Sequence, residues 1–117
     1  MHRFTNPKGI QLIKLLEGFK AEPYMCNGGY LTIGYGHRIL PSDPYKIVTR
    51  EKADQILEND LRKIERSVLK YIDVEINDDQ FADLVSFTFN VGAAALQRSV
   101  LRQKINYGHY DEGQKSF

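Results

Sequence analysis

The stretch from Glu17 to His37 reads EGFKAEPYMCNGGYLTIGYGH. An acid at the end of an amphipathic run is followed by a glycine-rich turn, an apolar strand and a Gly-Tyr-Gly-His sequence. Tyrosine, methionine, leucine, threonine and isoleucine around Asn27-Gly28-Gly29 predict a β-hairpin between Pro23 and Ile33. Packing alone does not account for this order of residue types, which indicates an active site.

The residues before this stretch predict a helix. Thr5 or Asn6 can cap a helix that begins at Pro7, where the missing amide hydrogen costs nothing. Gly18 supplies a stop, so Glu17 is expected to close the helix. Its apolar residues recur mostly at helical spacing, at Ile10, Leu12, Ile13, Leu15 and Leu16.

The residues after it predict a loop and a long helix. Two prolines and Ser42-Asp43 indicate a loop from Leu40 to Val48, and Thr49 is expected to cap a helix from about Arg50 to Tyr71. Lysine, arginine and acidic residues occupy its outward side, so we interpret it as a scaffold helix with a solvated charged face. One apolar stripe runs along it, formed by Ala53, Ile56, Leu57, Leu61, Ile64 and Val68.

Further helices are predicted in the last third of the chain. Asn77, with Gln80 three residues later, has the pattern of a capping box and predicts a buried apolar helix that ends at Gly92. Two shorter helices are expected at 93–97 and 99–107.

Composition excludes several classes of protein. The 117 residues, 42% of them hydrophobic and 26% charged, predict one soluble globular domain. Sixteen basic residues against fifteen acidic ones leave almost no net charge, so no nucleic-acid partner is expected. A single cysteine and three widely separated histidines predict neither a metal site nor a cofactor. The first residues contain no apolar run, so no signal peptide, anchor or membrane insertion is expected.

The stretch from Glu17 to His37 resembles the signature of the phage-type lysozymes, the endolysins of glycoside hydrolase family 24. That signature is Glu-Gly, Tyr-x-(Asp/Cys) and Gly-x-x-Thr-Ile-Gly-x-Gly-His. A second block, from Gln80 to Gly92, resembles the other landmark of the family, and Ser99 to Tyr110 continues its pattern. The resemblance implies an α+β, lysozyme-like fold, mostly helical, with a small antiparallel β-hairpin sheet beside the active-site cleft. A single domain is expected, with lobes at about 1–48 and 49–117.

The same resemblance implies a muramidase that cleaves the β-1,4 bond between N-acetylmuramic acid and N-acetylglucosamine in peptidoglycan, for host cell lysis. Such cleavage needs an acid that protonates the leaving oxygen and a second group on the opposite face of the sugar. Glu17 is the expected acid, because the negative end of a helix dipole disfavours its carboxylate and holds its proton to higher pH.

Cys26 stands where the family often has aspartate, so no second carboxylate is present at that position. Its turn, Cys26-Asn27-Gly28-Gly29, departs from the Cys-Pro-Ala-Gly turn that some members carry. A thiolate could accept a proton from water or attack carbon, although an unperturbed thiol is mostly protonated at neutral pH. The alternative is a small buried hydrophobe. Glu22, beside Pro23, is the second candidate carboxylate but fits surface charge better.

The resemblance also suggests roles for other residues. Thr32 aligns with a catalytic hydroxyl that would position water beside Cys26. Gly34 and Gly36 flank Tyr35 and are expected to let the backbone approach a polymer substrate, with His37 as a structural hydrogen-bonding residue near the cleft. The residues expected to bind the substrate are Tyr35, His37, Arg38, Phe89 and Ser99, and the last three are expected to line the saccharide cleft.

Family members usually continue for several tens of residues beyond Phe117, through a tryptophan-bearing segment, so the chain resembles a C-terminally truncated member with the 81–91 helix partly exposed. A catalytically silent domain that binds peptidoglycan or a protein partner is therefore the alternative function. A cysteine peptidase or amidase is a third possibility, without a Cys-His pairing to support it. Without a signal peptide, a lysin would stay in the host cytoplasm until a separate membrane-permeabilising, holin-like protein released it to the wall.

Overall fold

The structure is a computed structural model that describes residues 2–92 and 94–98. Within them the elements are, in chain order, α1 (Pro7–Glu17), β1 (Lys20–Met25), β2 (Leu31–Gly34), β3 (His37–Arg38), α2 (Arg50–Tyr71) and α3 (Asp78–Val91). Residues 94–98 are also helical. The three long helices and the hairpin were predicted and are confirmed. The helix expected at 99–107 lies outside the described residues.

The ends of α1 are fixed by its neighbours in sequence. Asn6, rather than Thr5, caps the first turn, since its Oδ1 accepts a hydrogen bond from the Gly9 amide at 2.9 Å. At the other end Gly18 has φ +72° and donates its amide to the Lys14 carbonyl at 2.9 Å. A residue other than glycine would be strained there, so the helix ends immediately after Glu17.

The caps predicted for α2 and α3 are also confirmed. The Lys52 amide donates to Thr49 Oγ1 at 3.1 Å. Asn77 and Gln80 form a reciprocal capping box, in which each side chain accepts from the backbone amide of the other at 2.8 Å. Gly92 then ends α3 with φ +87°. Local hydrogen bonds therefore determine where each helix begins and ends.

The sheet has three antiparallel strands in the order β1-β2-β3, the last of which the sequence did not predict. Tyr24 lies opposite Thr32, and Thr32 lies opposite Arg38. Directly opposed residues of antiparallel strands project to the same face, so these three side chains form one row across the sheet. The Cys26 amide donates to the Tyr30 carbonyl at 2.9 Å and extends the hairpin pairing by one residue.

The chain divides into two compact units. Unit 1 comprises Met1–Gly9 and Leu61–Phe117, and unit 2 comprises Ile10–Asp60. This division falls inside α1 and α2 rather than at the lobe boundary expected near residue 48, and the single-domain assignment stays a prediction. The buried apolar residues of unit 2 are Ile13, Ile33, Tyr35, Val48, Ala53, Ile56 and Leu57; those described in unit 1 are Leu61, Val68, Ile72, Phe81, Ala82, Val85 and Leu96.

Two apolar faces are less covered than their periodicity indicates. Ile13 of α1 is buried, whereas Leu15 and Leu16 are 81% and 64% exposed. On α3, for which burial was expected and, in a truncated chain, partial exposure, the buried residues Phe81, Ala82 and Val85 share the helix with the exposed Phe87 and Val91. Helical spacing shows which residues share a face, but tertiary packing decides which part of that face is covered.

The prediction of a wholly solvated charged face on α2 is wrong at Glu65, which is fully buried. Its carboxylate accepts bonds from His2 Nε2 at 2.7 Å, from the Thr5 amide and hydroxyl at 2.7 Å each, and from Arg62 at 2.8 and 3.1 Å. Burial by itself raises the pKa of this carboxyl, but the hydrogen bonds outweigh it and hold the pKa below its usual value. Glu65 therefore joins the segment before α1 to α2.

We expect Glu65→Gln to lower the free energy of unfolding by about 3 kcal/mol near neutral pH, because the amide presents a donor to groups that are themselves donors. The contribution of a carboxyl with a depressed folded pKa is present above about pH 4.3 and is lost as the pH falls through the folded pKa. The difference between parent and variant should accordingly shrink in acid. Denaturant unfolding at several pH values measures it.

The exposed Glu58→Gln on the same helix is the matched control and should change stability little. Equal stabilities for the Glu65 and Glu58 variants would contradict the prediction.

Candidate active site

The carboxyl group of Glu17 lies against the backbone of Gly36. A Cβ built on Gly36 would lie 2.5 Å from Glu17 Oε1 and 2.9 Å from its Cδ, and Gly36 has φ +78°. Any other residue at position 36 would therefore be strained and would also collide with the acid. Burial in this position raises the pKa of Glu17 above its usual value.

The two glycines of the Gly-Tyr-Gly sequence have a different role from the one expected. They were predicted to let the backbone approach a polymer substrate, but the structure fills the space beside them with protein groups. Gly36 faces Glu17, as described above. Gly34 has φ +66°, and a Cβ built on it would lie 3.3 Å from the Cβ of Ala53 on α2. These glycines therefore bring the β2–β3 turn close to α2 and to the end of α1.

Cys26 lies partly exposed at the end of β1, beside Thr32. Hydrogen bonds from the Tyr30 backbone, the Thr32 side chain and the Gly28 backbone lower the pKa of the Cys26 thiol. The Thr32 hydroxyl also lies 3.2 Å from the Tyr30 carbonyl. Because a hydroxyl has one proton, it donates either to that carbonyl or to the sulfur, and a thiolate favours the second.

Tyr24 is a member of this group that the sequence reasoning did not single out. Burial raises the pKa of its phenol, and the negative charges of Glu17 and Cys26 raise it further. Both groups therefore lie near the same hydroxyl, which belongs to the residue opposite Thr32 in the sheet. The signal was available, because Tyr24 is the tyrosine of the Tyr-x-Cys sequence.

His37 is buried between two carboxylates. Its Nδ1 lies 2.7 Å from Asp60 Oδ2 on α2, and its Nε2 lies 2.8 Å from Asp43 Oδ2, which also accepts the Leu40 amide at 2.7 Å. The hydrogen bond to Asp60 raises the pKa of His37 most strongly; burial opposes it, and Asp43 raises it further. The two ring nitrogens of His37 can donate to both carboxylates at once only when the ring is the charged imidazolium. His37 thus has the structural role expected, with two partners that the sequence did not identify.

The remaining predicted site residues lie in different surroundings. Tyr35 is buried and its ring centroid lies 5.7 Å from that of Phe19, so it belongs to the core of unit 2. Arg38 is exposed on β3, with its guanidinium 3.6 Å from the centroid of the Tyr30 ring. Phe89 is on α3 in unit 1, and Ser99 lies outside the described residues.

Two further properties concern the described part of the chain, residues 2–92 and 94–98. No three histidine, cysteine, aspartate or glutamate side chains are grouped there in a way that could hold a metal ion. None of the helices in that part combines the length and apolar character of a membrane span.

A family model described as phage lysozyme matches residues 14–117. The chain belongs to the phage lysozyme family. The endolysin of Bacillus phage B103 is 37% identical over 111 residues, which are 93% of this chain and 42% of that protein. The endolysin of Acyrthosiphon pisum secondary endosymbiont phage 1 is 32% identical over 112 residues, 94% of this chain and 75% of that one.

Structural comparison agrees with this assignment. An endolysin from Escherichia coli O157:H7 phage FAHEc1 superposes with a TM-score of 0.81 at 33% identity, over 99% of this chain and 75% of that chain. The predicted phage lysozyme family and the lysozyme-like α+β fold are therefore confirmed. The chain spans less than half of the B103 endolysin and three quarters of the structural relative.

We expect Gly36→Ala to lower the pKa of Glu17 towards the ordinary glutamate value of about 4.3, because the added methyl group displaces the carboxyl from its buried position. An NMR titration of the Glu17 side-chain carboxyl measures this shift. Gly29→Ala is the matched control, since Gly29 has φ +84° but open space around its Cβ position. A raised pKa that persists in Gly36→Ala would contradict the geometry.

Because His37 is charged in the folded protein, we expect the free energy of unfolding to fall with rising pH. Because its folded pKa lies above that of the unfolded chain, its contribution is complete below about pH 6.5 and is lost as the pH rises through the folded pKa. The loss should be about 2 kcal/mol, typical of hydrogen bonds to charged groups. Denaturant unfolding across this range measures it; His37→Gln should remove the dependence, and Asp60→Asn should weaken it, because Asp43 still faces the imidazole. An unchanged pH profile in His37→Gln would disprove the assignment.

Proposed function

We propose that this chain is an endolysin-type muramidase that hydrolyses the β-1,4 bond between N-acetylmuramic acid and N-acetylglucosamine in bacterial peptidoglycan, in the course of host cell lysis. The observation that carries the proposal is the Glu17 carboxyl, held against Gly36 in a position that raises its pKa. Membership in the phage lysozyme family supports the choice of substrate.

The first step requires a proton on Glu17. A carboxyl with a raised pKa keeps its proton to higher pH than an exposed glutamate does, and can give it to the glycosidic oxygen as the bond to the anomeric carbon breaks. The pKa of Glu17 is raised by burial, so the same contact with Gly36 that fixes its position also prepares its protonation state.

The second step concerns the anomeric carbon, and two routes fit the residues present. In the first, the Cys26 thiolate takes a proton from water, whose oxygen attacks the carbon while Glu17 protonates the leaving oxygen. In the second, the Cys26 sulfur forms a bond to that carbon, and water later displaces the sulfur while ionised Glu17 accepts its proton. Thr32 has a role in both, because its hydroxyl can orient water or donate to the sulfur.

The proposal extends to the cellular setting. Peptidoglycan is the partner, and a separate holin-like protein would permeabilise the membrane and release the enzyme from the host cytoplasm to the wall. We retain one lysozyme-like domain for residues 1–117, with Phe89 and Ser99 as cleft-lining residues. These assignments rest on family membership.

The test is clearance of a suspension of outer-membrane-permeabilised Gram-negative cells by the full chain. Glu17→Gln should lower the initial rate at least about 100-fold, because it removes a general acid. Cys26→Ser and Thr32→Val should each lower it, while Glu22→Gln, which changes an exposed acid of β1, should leave it near the parent value. Release of reducing sugar ends rather than free amino groups identifies the cleaved bond.

A folded parent chain that clears no cells and releases no reducing ends from purified sacculi would disprove the enzymatic proposal. Retained binding to sacculi would then identify a catalytically silent wall-binding domain. Release of amino groups would instead indicate an amidase or peptidase.

A further inference from the structure

Arg38 lies on the face of the sheet that carries the proposed reacting groups. Tyr24, Thr32 and Arg38 are opposed across the three strands and therefore form one row on one face. Thr32 lowers the pKa of the neighbouring Cys26 thiol, and the negative charges of Glu17 and Cys26 raise the pKa of the Tyr24 phenol. The row therefore extends from the neighbourhood of the acid to an arginine at the edge of the sheet.

The side chain of Arg38 is held in place by an aromatic ring. Its guanidinium carbon lies 3.6 Å from the centroid of the Tyr30 ring, within stacking distance, and both residues are exposed. Such a contact satisfies the flat face of the guanidinium and leaves its N–H groups, which lie in the plane, free to donate. Stacking thus reduces the conformational entropy that the side chain would lose on binding a ligand.

Three acids of unit 2 are paired with residues other than Arg38. Asp43 and Asp60 both face His37, and Asp54 pairs with Lys14. In the part of the chain that the structure describes, no carboxylate forms an ion pair with Arg38. An oriented guanidinium with no acidic partner among the described residues, at the edge of a candidate active site, is suited to bind an anionic group of a ligand.

We propose that Arg38, stacked on Tyr30, is a specificity residue that binds a carboxylate carried by the muramic acid unit of the substrate. This inference rests on the proposed muramidase function. Peptidoglycan offers this chemistry in two forms, the lactyl carboxylate of an unsubstituted muramic acid and the carboxylates of an attached peptide stem. Neutral chitin oligomers have the same β-1,4 linkage and no carboxylate, so Arg38 distinguishes the two kinds of glycan.

The test measures binding in the Glu17→Gln background, so that the glycan is not consumed. Three ligands are compared: glycan strands with intact peptide stems, strands from which an amidase has removed the stems, and chitin oligomers. We expect Arg38→Gln to lower about tenfold the preference, over chitin oligomers, for the strands that carry the carboxylate bound by Arg38, a typical loss for one charge-assisted hydrogen bond. Arg38→Lys should recover part of this preference, since it keeps the charge without the planar stack.

Arg66→Gln is the matched control, because Arg66 is an exposed arginine of α2 outside unit 2, and it should keep the preference of the parent. A loss confined to stripped strands assigns the contact to the lactyl carboxylate, which is amide-bonded to the stem in intact strands. A loss confined to intact strands assigns the contact to the stem. Circular dichroism of each variant establishes that it is folded.

Two results would overturn the inference. One is an unchanged preference in folded Arg38→Gln, and the other is an equal loss of binding to chitin oligomers, which would make Arg38 a general saccharide contact. Both leave the muramidase proposal intact, since cell clearance by the parent chain tests that separately. A parent chain that neither binds nor cleaves any of the glycans would remove both proposals.

Discussion

The close contact between the carboxyl of Glu17 and the backbone of Gly36 is the constraint on which unit 2 depends. For it to form, α1 must end at Glu17, which the positive φ of Gly18 ensures, and the β2–β3 turn must pass directly over that end. Gly34 brings the same turn against Ala53 of α2. Because Gly34 and Gly36 have no side chains, the β2–β3 turn can pack closely against the end of α1 and against α2. The carboxyl of Glu17 is desolvated as a result.

The surroundings of the reacting groups shift their proton affinities in opposite directions. Burial raises the pKa of Glu17, while hydrogen bonds from Tyr30 and Thr32 lower that of Cys26. The acid therefore tends to keep its proton and the thiol to lose it, which is the combination that glycoside cleavage requires. A cysteine can in this way occupy a position that is often aspartate in the family, provided that the turn supplies donors to its sulfur.

Local signals predicted the helices and the hairpin because their causes are local. The caps at Thr49 and Asn77 act over three residues, and the stop at Gly18 acts over four. The resemblance to a family, rather than periodicity, selected Glu17, Cys26 and Thr32. What the sequence did not reveal depends on partners distant along the chain, as in the bond from Asp60 to His37 and those of Glu65 to the first residues. A charged residue on a helix is predicted to be solvated unless its buried partner is known. A strand of two residues is too short to show the alternation by which strands are predicted.

The division into units has a consequence for how the protein can be dissected. Unit 1 is discontinuous in sequence, and both of its junctions with unit 2 lie inside helices. A gene fragment for residues 10–60 would begin within α1 and end within α2. α1 would lose its N-terminal cap, and α2 would lose its C-terminal turns. Helices cut to about two or three turns are marginal in water by themselves. Exchange of contiguous segments between homologous genes is thus best tolerated with crossovers in the loops, such as 40–48, so that each helix is inherited whole.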